Sequence, residues 1–325
     1  MEVADGVHWV RMPLPFALDH INLWLLRDGA GWVIVDSGFG NDATKKLWEA
    51  IFRDQLHGRP VHRVIVTHLH PDHLGLGAWL ADRFKTDVWM TQAEFATAHV
   101  FWNTADGSLQ QRQAEMFRRH GLDDSALSKV SAHPGAYRRA IPALPVTFRR
   151  LIGGDSVIID GRAWRVVIGY GHSPEHAALY CEALGLMISG DMMLPKISTN
   201  VSVTPLEPEG NPLGLFLDSV KRFGDLPSDT LILPSHGQVF HGLHQRIEDL
   251  LAHHAERFAL VAGACARPCT AAELLGQLFK RDLDAHQLSF AMGEAIAHLN
   301  YLMHAGQLQR TTDSNGRYRF ARASA

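Results

Sequence analysis

A chain of 325 residues, 46% hydrophobic and 20% charged, has the material for one large domain and a small one, and excludes a disordered or fibrous protein. A net charge of −3 offers no general attraction to nucleic acid or to an acidic membrane surface. Three cysteines, Cys181, Cys265 and Cys269, exclude a disulfide-stapled scaffold, and Cys265-x-x-x-Cys269 reads as two ordinary reduced thiols. No stretch approaches the roughly 18 uninterrupted apolar residues of a spanning helix. The N-terminus lacks the basic-then-apolar pattern of a secretory leader, so a cytoplasmic protein is expected.

In chain order, residues 21–38 predict a β-hairpin. Ile21 to Leu26 is one apolar run, Arg27 to Gly31 is turn chemistry, and Trp32 to Val35 returns to Asp36-Ser37-Gly38. Residues 42–56 carry helical spacing that points Leu47, Trp48 and Ile51 inward. Val61–Val66 reads as a strand, Leu74–Phe84 as a helix, and Asp87–Met90 as a short strand. Residues 92–148 look mostly helical, with breaks at 103–108, 121–125 and His133-Pro134-Gly135, and are read as an insertion that caps a substrate. Strand signals resume at Ser156–Ile159 and Ala163–Ile168, joined by the hairpin dipeptide Asp160-Gly161. Ala177–Cys181 and Leu186–Ile188 follow. Asn211-Pro212 starts a helix to about Phe223, with Asn as cap and Pro at the first helical position. Thr230–Leu233 and a helix over 242–262 end the larger part.

The last residues read as a separate unit. Thr270-Ala271-Ala272-Glu273 is a capping box opening a helix to about Lys280. Ala285–His304 is a longer helix, with Phe290, Ile296, Leu299 and Leu302 suggesting a buried face. Leu308–Thr311 and Arg317–Phe320 flank the turn signal Asn315-Gly316. Helix, helix and a two-stranded wing predict a winged-helix module. The expected division is a catalytic domain over 1–255, with the insertion at about 92–148, and a winged-helix-like domain over 256–325.

The most chemical stretch is His68-Leu69-His70-Pro71-Asp72-His73, directly after the apolar run Val64–Val66. A strand that ends in four metal-binding side chains delivers them to a sheet edge, where loops build sites. His68 and His70 alternate along extended chain and project the same way. Asp72 and His73 lie past Pro71 and address a second point nearby, which suits two adjacent cations. Further candidates follow strands: His172 in Gly171-His172-Ser173-Pro174-Glu175-His176, Asp191 after Gly190, and His236 in Ser235-His236-Gly237. His176 reads as a packed histidine beside the site. His62, His253, His254, His298 and His304 have no partner spacing and read as surface or helix residues. Five histidines and two aspartates fit two borderline or hard divalent ions.

Over residues 7–250 this set, in this order with Asp36-Ser37-Gly38, resembles the metallo-β-lactamase superfamily. The resemblance implies an α/β protein, an αββα sandwich with metals at one edge, here with a helical insertion and a small C-terminal winged-helix domain. It implies that His68, His70 and His172 hold one ion, that Asp72, His73 and His236 hold a second, and that Asp191 bridges them. Asp36 would orient a ligand or its loop. Two complete ligand sets depart from the single-metal and cysteine-containing antibiotic-hydrolysing branches.

Two divalent ions, zinc by preference and manganese or iron by similarity of donors, about 3.5–4 Å apart, would share a bridging water and bring its pKa toward neutrality. The expected chemistry is hydrolysis by that hydroxide, with Asp72 both ligand and proton acceptor. The expected substrate is a small acyl thioester or related acyl compound, as in glyoxalase-II-like enzymes. Arginine pairs at 118–119, 138–139 and 149–150 are candidates to receive an anionic group on it. A glutathione-binding helical C-terminus is missing from the pattern. The alternative is an endoribonuclease or phosphodiesterase whose winged helix contacts RNA. Residues 260–325 hold seven Arg/Lys and five Asp/Glu, a weak excess for phosphate-dominated binding. The C-terminal unit is otherwise expected to complete the cleft or mediate homodimerisation.

Overall fold

The computed structural model describes residues 1–16, 18–104, 106–130, 135–280 and 282–323. Seven strands cross the first sheet in sequence order: β1 (Glu2–Ala4), β2 (Val7–Pro13), β3 (His20–Asp28), β4 (Gly31–Val35), β5 (Val61–Ile65), β6 (Val88–Met90) and β7 (Arg149–Arg150). β1 to β4 run antiparallel, and β4 to β7 run parallel. The expected hairpin is β3–β4, with Trp24 opposite Val35 and Asp28 opposite Gly31. The second sheet has the order β8 (Ser156–Ile159), β9 (Arg162–Gly169), β10 (His176–Cys181), β11 (Leu186–Gly190) and β12 (Leu231–Pro234), with β11 and β12 parallel. Asp160 and Gly161 both hold positive φ, 49° and 73°, as a tight primed turn between β8 and β9 requires.

Alternation along β3 explains how the sheets pack. Ile21, Leu23 and Leu25 face a core with Trp48, Phe52 and Leu80, while Trp24 and Leu26 face Val166, Leu179 and Ile188 of the second sheet. The first sheet is therefore covered on both faces, which is why β3 and β4 carry near-continuous apolar runs.

Helix α1 (Asp42–Asp54) is capped by Asn41, whose side chain accepts from the Thr44 amide. Its buried face is Thr44, Trp48 and Phe52; Leu47, expected inward, is 40% exposed. The two stacked aromatic rings, 5.5 Å apart, set the face, and Leu47 lies one residue, about 100°, off it. The single helix expected over 74–84 is two: α2 (Pro71–Leu74) and α3 (Gly77–Phe84). The chain breaks at Gly75, where a Cβ would lie 2.5 Å from the Gly38 carbonyl oxygen. Helices α4 (Gln92–Asn103), α5 (Ser108–Arg119), α6 (Asp124–Val130) and α7 (Ala136–Ala140) occupy the stretch read as helical. The break expected at His133-Pro134 lies outside the described residues.

The chain divides into two compact units: 1–103, 135–199 and 223–244 in one, 104–134, 200–222 and 245–325 in the other. The second unit contains most of α8 (Pro212–Phe223) and α9 (Leu243–Ala264), then α10 (Ala271–Leu278), α11 (Ala285–His304) and the antiparallel pair β13 (Leu308–Thr312) and β14 (Tyr318–Arg322). Asn211 accepts from the Gly214 amide at the start of α8, and the Thr270–Glu273 capping box opens α10. An unanticipated capping box, Asp284 with Gln287, opens α11. Ile296, Leu299 and Leu302 are buried as expected, but Phe290 is 44% exposed; the inward positions at that level are Ala291 and Met292. Among the described residues no helix is long and apolar enough to cross a membrane.

Candidate metal centre

The site grows out of strand ends. In a parallel pair, both carboxyl ends lie at the same sheet edge. Val35 is level with Ile65, so Asp36 after β4 lies beside the loop that follows β5. Gly190 is level with Pro234, so Asp191 and His236 emerge side by side from β11 and β12. His172 lies in the short connection from β9 to β10. The backbone thus brings all seven candidate residues to one edge.

They form two adjoining groups. His68, His70, His172 and Asp191 bring one donor atom each within 4.8 Å of one another, as do Asp72, His73 and His236. His68 Nε2 lies 2.9 Å from His70 Nδ1 and 3.2 Å from His172 Nε2. His236 Nε2 lies 3.4 Å from Asp72 Oδ2 and 3.5 Å from Asp191 Oδ1, and His73 Nε2 lies 3.6 Å from that same Asp191 oxygen. Asp191 Oδ2 faces the other group, 3.4 Å from His172 Nε2 and 4.0 Å from His68 Nε2. One carboxylate therefore offers one oxygen to each group.

Neighbouring hydrogen bonds assign the ring tautomers. The Thr67 hydroxyl donates to Asp36 at 2.9 Å and so accepts from His68 Nδ1 at 3.0 Å, leaving His68 Nε2 as a bare lone pair. His73 Nδ1 donates to Asp36 Oδ2 at 2.8 Å, and His236 Nδ1 donates to the His20 carbonyl at 2.8 Å. Both Nε2 atoms point into the second group. Asp36 itself sits at φ 64°, a strained position for a residue with a Cβ, held by the Thr67 amide at 2.8 Å.

Such packing suits a cation. Burial, reinforced by His73 and His70, holds His68 well below the usual imidazole pKa, and burial beside His172 pushes His70 down to about 3. The bare Nε2 lone pair of His68 then meets His70 Nδ1 at 2.9 Å and His172 Nε2 at 3.2 Å. Three donors around a tetrahedral ion with bonds of 2.0–2.1 Å would be about 3.3 Å apart. In the second group burial disfavours charge on His73, yet Asp36, Asp72 and Asp191 outweigh it and raise the ring well above its ordinary value. His73 Nε2 and Asp191 Oδ1 are buried and make no hydrogen bond among the described residues. Unpaired ligand atoms and excess carboxylate in a buried site match the chemistry of divalent metal binding.

A family profile described as "Metallo-beta-lactamase superfamily" matches residues 17–236, and one described as "Metallo-beta-lactamase-like, C-terminal domain" matches 258–323. The chain belongs to the metallo-beta-lactamase superfamily. It is 51% identical to a beta-lactamase domain protein from Burkholderia ambifaria of known crystal structure, over 99% of this chain and 94% of that one, with a TM-score of 0.93. It is 25% identical over 308 residues to a probable metallo-hydrolase, YqjP, of Bacillus subtilis, spanning 92% of each chain. It is 23% identical over 292 residues to an atrochrysone carboxyl ACP thioesterase of Passalora fulva, spanning 86% of this chain and 69% of that one. The protein is thus a metallo-hydrolase with the fold of this superfamily.

Several residues that brace this superfamily site carry no mark in the sequence. Glu94, fully buried on α4, accepts from the Leu69 amide at 2.9 Å, the Ser173 hydroxyl at 2.6 Å and the Glu175 amide at 2.7 Å. It thereby ties the His68–His73 loop to the His172 loop. Burial raises its pKa, and the three donors only partly offset this. Tyr137 adds a hydrogen bond from its hydroxyl to the Leu69 carbonyl, 2.7 Å. Asn22 donates to the carbonyls of Pro234 and Gly237, both at 2.9 Å, and braces the His236 loop. A lone acidic residue in a largely apolar helix is the one signal that could have found Glu94. His176, expected as a packed neighbour, is fully buried and accepts from the Asp191 amide at 3.2 Å. Gly190, at φ 53°, makes room for it; a Cβ there would lie 2.2 Å from His176 Nε2.

The arginine pairs are largely engaged with the protein itself. Arg118 pairs with Glu115 at 2.8 Å, and Arg119 stacks 4.2 Å from the Tyr318 ring. Arg138 stacks 4.0 Å from Trp102, and Arg149 pairs with Asp87 at 3.2 Å. These contacts account for four of the six residues offered as an anion receptor.

Proposed function

We propose that this metallo-hydrolase cleaves acyl thioesters through two divalent ions, zinc by preference. In this reading His68, His70 and His172 hold one ion, Asp72, His73 and His236 hold the other, and Asp191 is shared. The observation that carries the dinuclear reading is the split of the Asp191 carboxylate, Oδ2 toward the first group and Oδ1 toward the second. When bound, the ions supply an acidified water and polarise the scissile carbonyl. Asp72, its Oδ2 beside His236 Nε2, keeps a second carboxylate oxygen to take the proton that the attacking water loses. Asp36 and Thr67 hold His73 and His68 in the tautomers that present Nε2. Ser173 donates its proton to Glu94, so it is occupied as a brace, and direct attack by water is the route the site favours.

The thioester class rests on relatives. Besides the Passalora thioesterase, the acyl-coenzyme A thioesterase MBLAC2 of Bos taurus is 25% identical over 187 residues, spanning 49% of this chain and 66% of that one. We extend the proposal to the C-terminal residues 256–325, where α10, α11 and the β13–β14 pair follow the element order of a winged helix. The test is thiol release from a panel of acyl-coenzyme A and other acyl thioesters by zinc-loaded protein. Turnover that disappears in Asp72→Ala supports the assignment. No thiol release from fully metallated protein overturns the thioester class, and phosphodiesters and lactones become the next panel.

A further inference from the structure

The second unit holds a pair of sulfurs that the metal site does not use. Cys265 Sγ and Cys269 Sγ lie 3.4 Å apart. Their approach is set by backbone, because both residues are fastened to β14. The Cys265 carbonyl accepts from the Arg322 amide at 3.1 Å, and Cys269 exchanges two backbone hydrogen bonds with Phe320, at 3.0 and 2.8 Å. Cys265 continues the last turn of α9, its amide donating to the Val261 carbonyl at 3.0 Å, and is fully buried. Cys269 is half-buried, which makes it the more accessible residue of the pair. No third donor completes a zinc set here: among the described residues, neither cysteine belongs to a group of three metal-binding side chains.

We propose that Cys265 and Cys269 are a dithiol modification site, in which Cys269 is the entry thiol and Cys265 the resolving thiol toward low-molecular-weight disulfides. The Cys269 thiolate attacks one sulfur of such a disulfide; that S–S bond breaks and one small thiolate leaves. The Cys265 thiol gives its proton to solvent, and its sulfur attacks the Cys269 sulfur of the mixed disulfide. The protein disulfide forms as the second small thiolate departs. Two protein thiols are oxidised and one external disulfide is reduced to two thiols. Closure requires the sulfurs to move from 3.4 Å to about 2.05 Å by rotation about the two Cα–Cβ bonds. The hydrogen bond between the two sulfurs and the nearby Arg319 together favour the Cys269 thiolate against burial and Glu273. The ring closed spans only four residues of sequence separation, so the bond gains little from chain entropy and is readily reversed.

Cys181 provides an internal reference, since it is fully buried in β10. The experiment treats the native, full-length protein with oxidised glutathione and maps cysteine-containing peptides by mass spectrometry without reduction. The expected product is one intramolecular Cys265–Cys269 bond, with Cys181 still reduced, reversed by dithiothreitol. Cys265→Ser should stop at the glutathione adduct on Cys269, Cys269→Ser should stay unreacted, and Cys181→Ser should behave as the parent. An independent readout uses phenylarsine oxide, which bridges paired thiols: it should block formation of the Cys265–Cys269 bond in the parent and leave the glutathione adduct of Cys265→Ser undiminished. Parent protein that stays reduced, or that accumulates the mixed disulfide without resolving it, overturns the proposal.

Discussion

His73 and the buried histidines of the second unit behave in opposite ways. His73, in the first unit, is fully buried among Asp36, Asp72 and Asp191, and those carboxylates draw positive charge onto it. His254 and His298, in the second unit, are as deeply buried, with rings 5.5 Å apart and Phe216 and Phe258 as neighbours. There, burial first and the neighbouring imidazole next push His254 down to about 3, and burial pushes His298 down to about 4. Both nitrogens of His254 make no hydrogen bond among the described residues, and Arg257 adds its charge against protonation of either ring. Burial alone therefore does not make a histidine a ligand. Carboxylates delivered to the same point by adjoining strand ends do.

The largest effect should follow from breaking the carboxylate side of that contrast. Asp191→Asn keeps the shape but removes the charge shared by the two groups, and kcat/KM should fall on the order of a thousandfold or more. Activity within tenfold of the parent would remove Asp191 from the site. Chelation comes next. An ion that binds only the folded chain stabilises it by about 3 kcal/mol at a hundredfold excess over Kd, so metal-free protein should melt several degrees lower and recover on adding zinc. The two histidines of the second unit should not respond to metal. Glu94→Gln tests the brace: one amide oxygen replaces two acceptors, and its NH2 group confronts the donors from Leu69, Ser173 and Glu175. A loss of 10- to 100-fold in metal affinity is expected, with partial rescue of activity at high metal concentration. Unchanged metal affinity would make Glu94 a packing residue only.

The smallest effect concerns the aromatic side of the comparison. His254 and His298 have folded pKa values below their unfolded values, so the unfolded chain takes up protons first. Stability should fall as pH drops from about 6.5 toward 4 and rise again with pH across that window. His254→Leu should flatten this acid slope in urea titrations of the metal-free protein. An unchanged slope would assign acid sensitivity to other groups.

What could be read from the sequence follows the range of the interactions involved. The His68–His73 run, Asp160-Gly161 and the Thr270 capping box are local patterns whose geometry is set within a few residues. His172, Asp191 and His236 were legible because each follows an apolar strand, and strand ends meet at a sheet edge. Glu94, Asn22 and Tyr137 act on backbone atoms of distant loops, and no spacing announces such contacts. Leu47 and Phe290 failed because hydrophobicity gave the helix but not its rotation, which Trp48, Phe52 and Met292 decide. The closeness of Cys265 to Cys269 depends on β14 pairing with the turn between α9 and α10, a contact across some fifty residues of sequence. His254 and His298, read as surface or helix residues, lie on helices but are buried, because helical spacing does not reveal which face meets another element.

The most direct test of the account is the metal content of the purified chain after reconstitution with zinc and dialysis, measured against protein concentration for the parent and for Asp72→Ala. Two equivalents are expected in the parent and the loss of one in the variant, with the group of His68, His70 and His172 still filled. A parent that saturates at a single equivalent would contradict it.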